Sequence, residues 1–181
     1  FPGADDEVLS FLQLVGPAAI PILVELVPAA EDVRSKAALR AVVASLAKDD
    51  VSRLSAAIRH PDPRIVREGA AVLGRIRDPR GLQLLRVCLK HEDVSVRIQT
   101  LHALRKIDDP EATKLTLEFL DDPDQEVRIL AAKVIDVSRD QLVTEAIEKR
   151  VKSRSFRLRP TRERIALVHA LKRAKPGQPH G

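Results

Sequence analysis

Asp93-Val94-Ser95-Val96-Arg97 is followed 31 residues later by Asp124-Gln125-Glu126-Val127-Arg128, and at the same distance upstream stands Asp62-Pro63-Arg64-Ile65-Val66. The likeness spreads outward from these three segments. Leu73, Leu104 and Ile135 fall in one column, and Ile58, Leu89 and Leu120 in another. Asp78-Pro79 aligns with Asp109-Pro110, and Ile76 with Ile107, before the pattern fades at Ser138. Self-similarity of this depth at a fixed period is the mark of an array of repeated structural units.

Each unit reads as two helices. Asp78 has the side chain of an N-cap, and Pro79 suits the first helical position, where its missing N–H costs nothing. Leu82, Leu85 and Leu89 then recur at helical spacing. Asp93 opens a second helix, in which Val96, Thr100, Leu104 and Ile107 form one apolar stripe. Asp108-Asp109-Pro110 ends it and starts the next unit. There Leu115 and Leu120 lead to Asp124 as cap, then to Val127, Ala131 and Ile135.

The outer units are looser. Gly16 to Ala47 gives one more helix pair, with Val33-Arg34 echoing Val96-Arg97 after a slip of two residues. Asp5 to Val15 reads as half a unit. His169-Ala170-Leu171-Lys172-Arg173 echoes His102-Ala103-Leu104-Arg105-Lys106, with five extra residues accommodated around Ser153 to Pro160. The units are therefore placed at 17–47, 48–77, 78–108, 109–138 and 139–175, with a partial unit at 1–15 and a frayed tail at 176–181. One unit cannot bury its own apolar face, so the units must stack. The expected fold is all-α: a single domain forming a right-handed solenoid of about five helix pairs.

The pattern Asp-x-x-Val-Arg with Asp-Pro at the unit boundary resembles HEAT repeats. Ala71-Val72-Leu73-Gly74-Arg75-Ile76 and His102-Ala103-Leu104-Arg105-Lys106-Ile107 look like the short bacterial variety named after phycobilisome lyase subunits. The likeness covers about residues 17–175. It implies a binding scaffold, and it implies a structural ladder between units made by Asp62, Asp93, Asp124, Arg97 and Arg128. Arg67 stands one position outside that column. The narrower likeness implies a subunit that helps attach or detach bilins, but no residue pattern here identifies a bilin site.

Composition narrows the function. The chain has 181 residues, 44% of them hydrophobic and 31% charged, which excludes disordered and collagen-like classes. It has no Trp, Tyr or Met and only four Phe, so Leu, Ile, Val and Ala must fill the interior. A single cysteine, Cys88, leaves no intrachain disulfide and no cysteine-based zinc site, and fits a cytoplasmic setting. Phe1 rather than Met begins the chain, so a piece of a longer protein is expected. The longest apolar stretch, Leu14 to Ala30, carries Glu25 and is cut by Pro17, Pro21 and Pro28; it is short of the ~20 residues of a membrane span.

Residues that could carry chemistry fall at structural positions. Gly69 and Gly74 have the spacing of a phosphate-binding loop, but Arg75-Ile76 follows where Lys-Ser/Thr is required, so close helix packing is the better reading. His60 and His91 occupy equivalent places in neighbouring units, roughly a helix diameter (~10 Å) apart, too far to share a metal. The pairs Asp49-Asp50, Asp108-Asp109 and Asp121-Asp122 lie at unit turns, where Asp caps helices. Cys88 sits among Leu84, Leu85 and Leu89 as a core residue. No enzyme, cofactor or metal is expected.

What remains is surface. Arg75, His102, Lys106, Lys133, His169 and Arg173 recur on the second helices and would form a basic ridge for an acidic protein partner, although a plain solvated face has the same pattern. Ile98, Ile129 and Ile165 line up as an apolar stripe, open either to a partner or to a neighbouring helix. Residues 149–181 hold 11 Lys/Arg and one acid, Glu163, whereas residues 1–148 are net acidic. Arg154, Phe156, Arg157 and Arg159 stand in the densest part of that basic run. Nonspecific duplex nucleic acid, bound through 149–175, is the alternative partner. With Phe156 the one aromatic there, single-strand recognition by stacking is disfavoured. Thr161 is the expected cap of the last helix.

Overall fold

The computed structural model describes residues 16–135 and 141–174. The partial unit expected at 1–15, Ser138 and the tail 176–181 lie outside the described residues. Among the described residues there are ten α-helices, five short 3-10 turns and no strand. The helices are α1 (Ile20–Ala29), α2 (Val33–Ala47), α3 (Ser55–Ile58), α4 (Pro63–Ile76), α5 (Leu82–Cys88), α6 (Val94–Leu104), α7 (Pro110–Glu118), α8 (Gln125–Val134), α9 (Gln141–Lys152) and α10 (Thr161–Ala174). They pack as adjacent pairs, as the repeat predicts. The chain divides into two compact units, residues 1–107 and 108–181.

Among the described residues, aspartate starts seven of the helices and turns. Asp32, Asp50, Asp62, Asp78, Asp93, Asp109 and Asp124 each accept from a backbone N–H two or three residues ahead. Each satisfies a donor that the first turn leaves unpaired, worth about 1 kcal/mol per cap. Proline follows the cap at Pro63, Pro79 and Pro110.

In the first unit the second helices of successive pairs, α2, α4 and α6, pack side by side, while α3 and α5 pack behind them. Leu54, Leu73, Leu85, Leu101 and Leu104 are fully buried between these layers. Gly74 permits the closest approach. A Cβ there would lie 2.6 Å from Ala103 Cα, so α4 and α6 meet backbone to backbone. Both mid-helix glycines are thus packing residues, as the sequence implies; a Cβ at Gly69 would meet the Ile58 and Ala57 side chains of α3.

In the second unit α8 packs on α10, α9 on α10, and α7 on α9. Leu115, Phe119, Leu120, Ile147 and Leu167 form the core. The inserted segment before α10 is not open loop. Ser153 caps a 3-10 turn, Arg154–Leu158, by accepting from Phe156 N–H.

Three expectations need correction. Pro79 opens a 3-10 turn, Pro79–Gly81, and α5 begins only after it. Val33 does not echo Val96: it directly follows the Asp32 cap and is 83% exposed, so the cap, not the Val-Arg pair, sets the register of α2. Thr161 is the first residue of α10 rather than its cap; Glu163 and Arg164 N–H groups donate to the Pro160 carbonyl. Of the two readings left open for the aligned isoleucines, packing within the protein fits Ile129, which is buried, and Ile98, which is half-buried, while Ile165 is open.

Candidate functional site

The turns before α4, α6 and α8 are stitched the same way. His60 Nδ1 accepts from Asp62 N–H, His91 Nδ1 from Asp93 N–H, and Asp122 Oδ1 from Asp124 N–H, at 2.8–3.0 Å. The two histidines therefore serve the backbone of the cap residue, a role that spacing alone did not reveal. Arg97 Nη1 donates to the carbonyls of His91 and Glu92 at 2.7 and 3.0 Å. Arg128 repeats this on Asp122 and Pro123 with the same two distances. Within their units Asp62, Asp93 and Asp124 cap their own helices, while Arg97 and Arg128 close the turn by gathering its carbonyls. Other guanidiniums reach from one repeat to the one before: Arg80 donates to Lys48 and Asp49 carbonyls, and Arg173 to those of Ala132 and Lys133.

Two buried carboxylates anchor the helix layers. Glu68 is 1% exposed and takes Arg40 Nε at 2.6 Å, with Arg67 Nη2 at 3.6 Å. Glu163 is fully buried and is held by Arg128 Nη2 at 3.0 Å and by Arg159 Nη1. Arg159 also donates to the Leu120 carbonyl and pairs with Asp121, which Arg150 reaches at 2.5 Å. Burial pushes the Asp121 carboxyl up, but Arg150 and Arg159 outweigh it and hold the group below its ordinary value. Arg159 is therefore a structural residue turned into the unit, not part of an outward basic loop. One arm of Arg173 is likewise spent on the end of α8.

The remaining cations face outward. Arg154 and Arg157 are exposed on the 3-10 turn, and neither meets a carboxylate among the described residues. Phe156 between them is half-buried and lines a groove together with residues of α10. Lys133 and His169 are exposed on α8 and α10.

The ridge is clearest in the first unit. Arg75 on α4, His102 on α6, and Arg105 and Lys106 just beyond α6 line one groove of about 380 Å³ together with Arg40, Ala71 and Gln99. Arg40 is paired with Glu68, whereas Arg75, Arg105 and Lys106 have no carboxylate partner among the described residues. Burial, then the charges of Arg105 and Lys106, hold the His102 imidazole below its ordinary value, which favours its neutral form. The groove therefore carries at least three unneutralised positive charges. Sequence reading found Arg75, His102 and Lys106 but missed Arg40, Gln99 and Arg105. Those three depend on how adjacent helices are rotated, which the period does not state.

Other chemistry has little to build on. Cys88 is buried, its thiol pushed up to about 11 by that burial, and its Sγ lies 3.9 Å from the Leu84 carbonyl. Among the described residues no cluster of three His, Cys, Asp or Glu side chains is placed to hold a metal ion. None of the described helices is long and apolar enough to cross a membrane.

Residues 51–136 match the family model of HEAT repeats. This stretch is a HEAT-repeat region. It takes in the aligned column of Asp62, Asp93 and Asp124 and the repeated Arg97 and Arg128 turns, the features through which the sequence resembled that family. No curated protein matches the chain significantly. HEAT repeats are typically non-catalytic and make surfaces for protein partners.

Proposed function

We propose that the protein is a non-catalytic scaffold whose HEAT-like helices bind an acidic surface of another protein. The observation that carries this reading is the groove where Arg75, Arg105 and Lys106 stand together without carboxylate partners, beside His102. Placing like charges together in this way costs free energy in the unbound protein. An acidic ligand would offset that cost, and electrostatic attraction would speed its approach. Arg154 and Arg157 supply a second outward basic site.

Affinity capture from native lysate, with and without nuclease, tests the proposal when paired with the double variant Arg75→Glu/Lys106→Glu. A discrete protein that survives nuclease and is lost with the variant is the expected result. Bound material that disappears with nuclease would transfer the role to nucleic acid, a reading favoured only by the exposed pair Arg154 and Arg157. The bilin-lyase likeness adds an easy check: visible absorbance after mixing with a bilin is not expected.

A further inference from the structure

The second unit carries a different kind of surface. Phe156, Thr161, Arg164, Ile165, Val168, His169 and Lys172 line a groove of about 310 Å³ between the 3-10 turn and α10. Its floor is apolar: Phe156 and Val168 are half-buried and Ile165 is 50% exposed. Its margin is cationic. Among the described residues Lys172 meets no carboxylate, and the Arg164 side chain donates to Thr161 Oγ1 while its buried Nε lacks an acceptor. The lining residues of α10 are spaced 161, 165, 168 and 172, one face of three helical turns about 16 Å long.

We infer that this groove is a docking site for an acidic amphipathic helix of a partner protein. The inference rests on the scaffold reading and names a partner chemistry for a site separate from the ridge. A helix of three to four turns presents apolar side chains at i, i+3, i+4 and i+7, which suits an apolar strip of this length. Unneutralised Arg164 and Lys172 at the margin call for Asp or Glu beside those anchors, and they set direction and register. Nucleic acid fits less well. Its phosphates would gain nothing from Ile165 and Val168, and Phe156, the one aromatic in the groove, is half-buried.

Selection of binders from a displayed library of random peptides, using the full chain as bait, tests this without assuming a sequence. Enriched peptides should combine Asp or Glu with apolar residues at helical spacing. Their affinity should fall about tenfold or more in Ile165→Ser, which removes an anchor contact, and in Lys172→Glu, which reverses the rim charge. Both sites are exposed, so circular dichroism of each variant should match the parent. Binders whose affinity is unchanged by both variants but lost in Arg75→Glu/Lys106→Glu would overturn the groove and leave the scaffold reading standing. No enriched binder at all would overturn both. A labelled DNA duplex that binds the parent and is released by Ile165→Ser would also overturn the inference, assigning the groove to nucleic acid.

Discussion

Arg159 and Arg157 are two residues apart in one basic run, yet they have opposite fates. Arg157 faces solvent, while Arg159 holds the buried Glu163. Leaving a buried charge wholly without a partner costs about 3–5 kcal/mol, but Arg128 would still hold Glu163 if Arg159 were removed. Arg159→Ala should therefore lower unfolding stability by part of that amount, about 1–3 kcal/mol, read by urea denaturation. Arg154→Glu and Arg157→Glu should each change it by less than about 0.5 kcal/mol. Equal effects at all three positions would contradict the assignment. Charge density alone could not separate these residues. The separating cue is that Glu163 occupies the apolar column of Val96 and Val127 after the five inserted residues, and a charge in a core column demands a partner.

At the level of helices, packing was legible where it depends on period and hidden where it depends on rotation. The Asp caps and the buried Leu73, Leu104 and Ile135 follow from spacing. The Val33 echo misled because two similar dipeptides sit at different distances from their caps, and a cap fixes where a helix begins. Gly74 and Gly69 were both read as packing residues, and the structure ranks them. A Cβ at Gly74 collides with backbone, which cannot yield without separating α4 from α6. At Gly69 the nearest atoms are the Ile58 Cδ1 and Ala57 Cβ, 3.1 and 3.2 Å away. Gly74→Ala should cost about 1–3 kcal/mol and Gly69→Ala distinctly less, since side chains shift more cheaply than backbone. Thermal unfolding of the two variants checks the order.

For the molecule as a whole, stability rests on many carboxylates that fold into favourable surroundings. Asp32, Asp50, Asp62, Asp78, Asp93 and Asp121 all lie below their ordinary value of 3.8. Hydrogen bonds from Ser35, Ser52, Arg64, Arg80 and Ser95 are the main causes for the first five. A group whose value is depressed on folding stabilises the protein fully above 3.8, and that contribution is lost as pH falls through the folded value. The melting temperature should therefore hold steady from about pH 6 down to about pH 4.5 and then drop steeply toward about pH 2.5. A flat profile below 3.8 would contradict the capping assignment for the set. The repeat array was legible as a whole because one period repeats through many columns. The binding surfaces were legible only in part, because a cation on a helix face gives no sign of whether a neighbouring carbonyl or carboxylate has already claimed it.

Arrays of similar repeats lengthen and shorten easily when one copy recombines with another. The Glu163 contacts restrict that freedom. α10 can follow α8 because Arg128 stands ready to meet its carboxylate. Placed behind α4, which has Val66 where α8 has Arg128, the same carboxylate would face an aliphatic side chain with Arg159 as its only cation. The repeats share a period but are not interchangeable parts, and one buried acid fixes which neighbour its own repeat can follow.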